Sequence, residues 1–240
     1  MPFDPVPALH QMTAEIKYNN GWTYFDRCGT AMLRLGKALG EPFRDGGNPS
    51  HVGEWKSDVE RLTVQFGREH IVVTQNWVET TARFQMAARS TWGVLSKLLE
   101  VEKHVIRVGN RFWFVWAVTS GEEGEAILRR LGLFSPTDTW LENLGLPVPR
   151  HLSPTVLVPL EKFAHLRFSL DSAALEHRGY ISKEFDRFVP KRAIILDLDF
   201  VLFEKDQELT ERQLQGFLVD SWSRAQTLAT NIGESLAACQ

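Results

Sequence analysis

The sequence predicts an α+β fold in which sheet, antiparallel or mixed, is backed by helices. Three observations carry that expectation. The first half reads strand, helix, strand, strand, helix, strand, the ferredoxin-like order of a split βαβ unit. A strongly apolar alternation runs from Arg192 to Phe203. Behind the capping-box pair Thr210 and Gln213, a long amphipathic helix closes the chain.

The elements follow in order. Leu9 to Tyr18 alternates loosely and reads as a first strand, broken by Asn19-Asn20-Gly21. Thr23 with Asp26 resembles a capping box, and Trp22, Phe25, Met32, Leu35 and Leu39 follow at helical spacing until Gly40 and Pro42. Arg44 to Ser50 is a loop by composition. Lys56 to Phe66 and His70 to Gln75 read as two strands, joined at Gly67-Arg68-Glu69 as a hairpin. A helix is expected from Glu79 to Leu99, with Phe84, Ala88, Trp92, Leu95 and Leu99 on one face, and a strand from His104 to Val118.

A short helix from Glu122 to Leu131 stops at Gly132. Prolines 136, 147, 149 and 154 mark a connector. Thr155 to Leu160 and Ala164 to Leu170 are strand-like, and the last helix carries the stripe Leu214, Phe217, Leu218, Trp222, Ala225, Leu228, Ile232 and Leu236. The expected organisation is a half over 1–134 in ferredoxin-like order, a connector over 135–154, and a second sheet-and-helix half over 155–240, packed as one unit. No tandem repeat shows in the residues themselves.

With 240 residues, 27 Lys+Arg against 30 Asp+Glu and 43% hydrophobic residues, the chain can bury a sizeable core and is neither disordered nor fibrous. A formal net charge of -3 argues against a general coat for nucleic acid or membrane. The opening Met1-Pro2-Phe3-Asp4-Pro5 lacks the basic and apolar regions of a secretory signal, and Phe112 to Val118 falls far short of the ~20 residues that span a bilayer. Cys28 and Cys239 suggest free thiols rather than a disulfide framework or a four-thiolate metal site. The expectation is a cytoplasmic protein with no membrane association.

Ile194-Ile195-Leu196-Asp197-Leu198-Asp199 looks like the first motif of haloacid-dehalogenase phosphatases, where two aspartates serve as nucleophile and acid/base. Too little chain follows Asp199 to supply the rest of that site. Period-two alternation instead turns Leu196, Leu198 and Phe200 to the helices, and Asp197 and Asp199 to the other face with Ala193, Ile195 and Val201. Arg107 and Arg111 share one face of their own strand with Val105, Gly109, Trp113 and Val115. If the two strands are neighbours, the arginines meet the aspartates as cross-strand pairs. A metal site at Asp197 and Asp199 with Glu204, and an anion or nucleic-acid site at Arg107 and Arg111, are the competing readings.

The seven histidines are scattered, and none pairs at the i,i+4 spacing of a zinc helix. His10 and His104 read as strand-end residues. There is no Gly-x-Ser-x-Gly elbow and no phosphate-binding P-loop, and Gly-Glu-Glu-Gly at 121–124 would repel phosphate. Of the eight tryptophans, Trp113 and Trp116 fall on opposite faces of one strand. Trp22, Trp77, Trp92, Trp140 and Trp222 sit at helix starts or on helical stripes, where packing is the default. Trp beside Arg is also the composition of interface anchors.

From end to end the chain resembles a sporadically distributed bacterial family of uncharacterised proteins of about this length. The likeness rests on the Pro-rich start, the Trp55 run before the Gly67 hairpin, Val78-Glu79-Thr80-Thr81, the strand Arg107-Val108-Gly109-Asn110-Arg111, and Leu196-Asp197-Leu198-Asp199 before an amphipathic helix. Some members of that family sit beside phage-defence genes. The resemblance therefore implies a phage-defence or CRISPR-linked accessory protein.

The expected function is that of a non-enzymatic interaction or regulatory subunit of a multi-component bacterial system. It needs no cofactor or metal and no catalytic residue, and its binding residues are Arg107, Arg111, Trp113, Asp197 and Asp199. A protein is the expected partner. Nucleic acid is less favoured, and a homodimer is compatible with the reading. The alternatives are a metal-dependent phosphoesterase or nuclease using Asp197 and Asp199, and a nucleic-acid binder using Arg107 and Arg111.

Overall fold

In a computed structural model, residues 3–19, 21–46, 52–78, 80–132, 155–175 and 190–239 are described. Their strands form one antiparallel sheet of nine, which places the α+β expectation on a single sheet. In chain order the elements are β1 (Ala8–Tyr18), α1 (Thr23–Leu39), β2 (Arg44–Asp45), β3 (Gly53–Ser57), β4 (Leu62–Phe66), β5 (His70–Asn76), α2 (Ala82–Leu98) and β6 (Val105–Ala117). They continue with α3 (Gly121–Arg130), β7 (Thr155–Val158), β8 (His165–Ala174), β9 (Arg192–Phe203) and α4 (Glu211–Ala238). Spatially the strands lie β2-β3-β4-β5-β1-β6-β9-β8-β7.

The run β4-β5-β1-β6 has the strand order of a split βαβ sheet, as the first half of the sequence suggested. The order around β1 and β6 also holds a repeat that the residues do not announce. With β2 set aside, the described elements of each half are a strand, a helix, a three-stranded meander whose last strand returns beside the first, and a further helix. The repeat appears when the halves are divided ahead of β6. The antiparallel β1–β6 pair lies at its centre.

All four described helices lie on one face of the sheet. Period-two alternation delivers Met12, Ala14, Ile16 and Tyr18 from β1, Phe112, Phe114 and Trp116 from β6, and Leu196, Leu198 and Phe200 from β9 to that side, all nearly inaccessible to solvent. Trp222 of α4 lies against Phe112 and Phe114, and Phe217 reaches Phe163, which packs on Phe200. The capping box at Thr210 is formed: its hydroxyl accepts from the Gln213 amide, and the Gln213 side chain accepts from the Thr210 amide. A side chain at Gly124 would come within 2.3 Å of Ser172 Oγ, so this glycine lets α3 settle on β8. No helix among the described residues is long and apolar enough to cross a membrane.

Several expectations need correction. Lys56 to Phe66 is two strands, β3 and β4, because Asp58 to Arg61 make a tight turn: Ser57 Oγ accepts from the Glu60 amide, and Arg61 takes φ 53°. Part of the supposed loop at Arg44 pairs with β3 as β2. Thr23 is not a cap: Trp22 occupies that position in helical conformation, and the Thr23 hydroxyl donates to Leu99 O at 2.5 Å, tying the start of α1 to the end of α2. Trp22 is exposed instead of packed. Trp140 and the 135–154 connector lie outside the described residues.

Candidate functional site

The candidate residues converge on the face of the sheet opposite the four described helices. β6 pairs with β9, with Arg111 opposite Asp199 and Trp113 opposite Asp197. On its other side β6 pairs with β1, with Gly109 opposite Glu15. Arg107 and Arg111 therefore stand on a strip between two carboxylate-bearing strands.

Each arginine reaches diagonally. Arg111 grips Asp197 with both ends of its guanidinium, Nε to Oδ1 at 2.7 Å and the second nitrogen to Oδ2. Arg107 donates to Glu15 at 2.6 Å and to Asp199 at 2.8 Å. Gly109 is what lets it do both: a Cβ there would sit 2.6 Å from an Arg107 guanidinium nitrogen, so the side chain lies flat over the glycine between its two partners. The next residue, Asn110, points the other way and donates to Ser221 Oγ of α4 at 2.9 Å, a hydrogen bond wholly in the core. Every position of Arg107-Val108-Gly109-Asn110-Arg111 thus has a physical role, since Val108 is also buried among the core residues.

The aspartates lie on the face away from the four described helices and are nonetheless mostly buried, Asp197 13% and Asp199 15% exposed. Burial is the largest influence on Asp199 and pushes its carboxyl above the ordinary value, with the charge of Asp197 adding to the effect. The charges of Arg107, Arg111 and Arg167 work against that rise. For Arg111, the hydrogen bond to Asp197 holds the proton more firmly than usual. Glu204 stands 3.8 Å from Arg107 Nε and 3.8 Å from His165 Nδ1.

Beyond Arg111 the same face becomes aromatic. The Arg111 guanidinium lies 4.9 Å from the centre of the Trp113 ring. His10 stacks near Trp113 at 6.1 Å and meets the Trp77 ring edge-on at 4.5 Å. His10 is not a simple strand end: the β1–β6 register shifts between Leu9 and Gln11, and His10 is buried at that irregularity. Val115, Leu175, Ala193 and Ile195 complete the strip as a small apolar cluster against Trp77.

The structure thus brings together Arg107, Arg111, Trp113, Asp197 and Asp199. It separates Val105 from them, because a second register shift, between Lys17 and Tyr18, places Val105 opposite Tyr18 and in the helix-side core. Sequence reasoning missed Glu15, whose alternation with Ala14 and Ile16 already marked the polar face of β1. It also missed His10, Trp77 and the Asn110–Ser221 bond. Among the described residues, no three His, Cys, Asp or Glu side chains come together as metal ligands would. Compared with known proteins, the chain matches no protein-family model and no curated protein.

Proposed function

We propose that the protein is a non-enzymatic interaction subunit of a multi-component bacterial system and that it takes a protein partner on the face of its sheet opposite the described helices, around Arg111 and Trp113. The observation that carries this reading is the row Asp197–Arg111–Trp113–His10–Trp77. It is a planar guanidinium and three rings fixed in place by a bidentate ion pair, ring contacts and the strand pairing beneath them. Arg and Trp are the residues that concentrate binding energy at protein interfaces, most of all where their side chains are ordered before binding.

The charge arrangement favours protein over nucleic acid. Arg107 and Arg111 already hold carboxylates, so a phosphate would have to displace Asp199 or Asp197 to reach them. The same pairing weighs against a metal at the aspartates, whose oxygens face guanidinium groups. The reading places the protein in the cytoplasm with Cys28 and Cys239 as free thiols, in the phage-defence or CRISPR-linked setting that the family resemblance implies.

The test is purification of the tagged protein from its native host with nuclease treatment. A stoichiometric protein should survive nuclease, be lost with Trp113→Ala, and be kept with Val59→Ser, a change at an exposed turn. Melting curves of both variants separate lost binding from lost folding. Recovery of nucleic acid alone, or of a partner indifferent to Trp113→Ala in a folded variant, would overturn the reading.

A further inference from the structure

Arg107 stands among three carboxylates. It donates to Glu15 of β1 at 2.6 Å and to Asp199 of β9 at 2.8 Å, and its Nε lies 3.8 Å from Glu204, the residue after β9. The three differ in their contact with water: Asp199 is 15% exposed, Glu15 29% and Glu204 51%. Desolvation opposes a charge more strongly the more water it loses, so of the three it bears hardest on Asp199. Among the described residues, the groups that face Asp199 are Arg107 and Arg111 of β6, Arg167 from the opposite position on β8, and Asp197 of its own strand. One step further out are Glu15 with Lys17 of β1, 3.6 Å apart, and Glu204 with His165 of β8, 3.8 Å apart. Arg111 is gripped at both ends by Asp197, which leaves Arg107 as the guanidinium with a choice of carboxylates.

We propose that Arg107 is a two-position latch: with Asp199 ionised it lies flat over Gly109 and ties β1 to β9, and when Asp199 takes up a proton it turns to Glu204 and lifts off Gly109. A neutral carboxyl still accepts a hydrogen bond, but it no longer attracts the guanidinium charge as the carboxylate of Glu204 does. The motion is short, because Glu204 already stands beside Arg107. Gly109 provides the first position, since a Cβ there would sit 2.6 Å from an Arg107 nitrogen and close the lane in which the side chain lies.

Burial outweighs the three arginines at Asp199 and holds its proton above the ordinary carboxyl range, so the switch is thrown while other carboxyls of ordinary strength are still losing theirs. As regulation, the latch rests on the reading of this face as a partner-binding surface: a fall in pH clears the strip at Gly109 beside Arg111, and a rise closes it again. The latch itself needs no partner, so the protein alone tests it.

The experiment is a pH titration by NMR of the full chain, following Arg107 Nε and the Asp199 carboxyl carbon, beside Asp199→Asn and Glu204→Gln. In the parent both signals should move with one midpoint, above the ordinary carboxyl value of about 4. In Asp199→Asn the Arg107 signal should hold its low-pH position throughout, with no transition at that midpoint. In Glu204→Gln the Asp199 carboxyl should still titrate while the movement of Arg107 falls roughly twofold or more, because the second position has lost its charge. Amide spectra that match the parent away from this face show that both variants fold, and the parent titration stands without them. An Arg107 signal that stays still through the Asp199 midpoint, that follows a different midpoint, or that moves as far in Glu204→Gln as in the parent would overturn the latch. None of these readouts involves a partner, so their failure is distinct from failure of the purification with Trp113→Ala.

Discussion

The two faces of β6 are ordered by different means. Toward the helices, Phe112, Phe114 and Trp116 are held by volume: rings meet Phe200 and Trp222, and nearly all contact with water is gone. Toward the opposite side, Arg107, Arg111 and Trp113 are held by direction: each guanidinium has assigned carboxylates, and a glycine clears the path for one of them. Burial of apolar area is undirected, so many side chains of similar size can satisfy it. Charge pairing is directional and must offset its own desolvation, so it contributes less stability and more definition of shape.

The largest effect should therefore come from the helix side. Phe112→Ala removes a ring packed against Phe200 and Trp222, and a loss of about 3–5 kcal/mol is expected in urea denaturation. A loss below about 1 kcal/mol would mean that α4 is not seated on β6 as described. On the other face, Arg111→Ala leaves the carboxylate of Asp197, 13% exposed in the parent, without its bidentate partner. The expected loss is about 1–3 kcal/mol, reduced from the fully buried case because the Arg111 side chain is itself 36% exposed. Adding Asp197→Asn to Arg111→Ala should recover part of that loss, since the stranded charge goes with it. Strictly additive losses would show that the pair is not coupled and that the two faces differ less than argued.

What could be read beforehand follows the same division. The alternation in β9 and the capping box at Thr210 are local patterns, and both appear where the residues indicated. Alternation alone put the two arginines and two aspartates on matching faces, and the β6–β9 pairing joined them. Features that depend on two distant strands were not legible. Glu15 becomes a partner of Arg107 only because β1 is the other neighbour of β6, and Asn110 finds Ser221 across 111 positions of chain. The turn at Asp58 to Arg61 was hidden because apolar residues resume on the far side with the same period. Thr23 misled because a hydroxyl one position inside a helix has the same residue signal as a cap. The βαβββα repeat is a property of topology and left no matching residues to find.

Asp199 offers the finest discrimination between the two kinds of order. It sits beside Arg107, yet burial dominates and its carboxyl is raised above the ordinary value of about 4. A carboxyl raised in the folded state binds its proton more tightly there than in the unfolded chain. Its contribution to stability is then complete below that ordinary value and declines as pH rises through the raised one. Asp199→Asn removes this titration while keeping an oxygen for Arg107 to donate to. The parent should therefore lose stability relative to the variant as pH climbs from below the ordinary carboxyl value through the raised one, read as the difference between urea midpoints at each pH. A difference that stays constant would mean that Asp199 is no more covered than an ordinary surface carboxyl. A difference that moves the other way would mean that the guanidinium groups outweigh burial, and that charge pairing organises this face as strongly as volume organises the core.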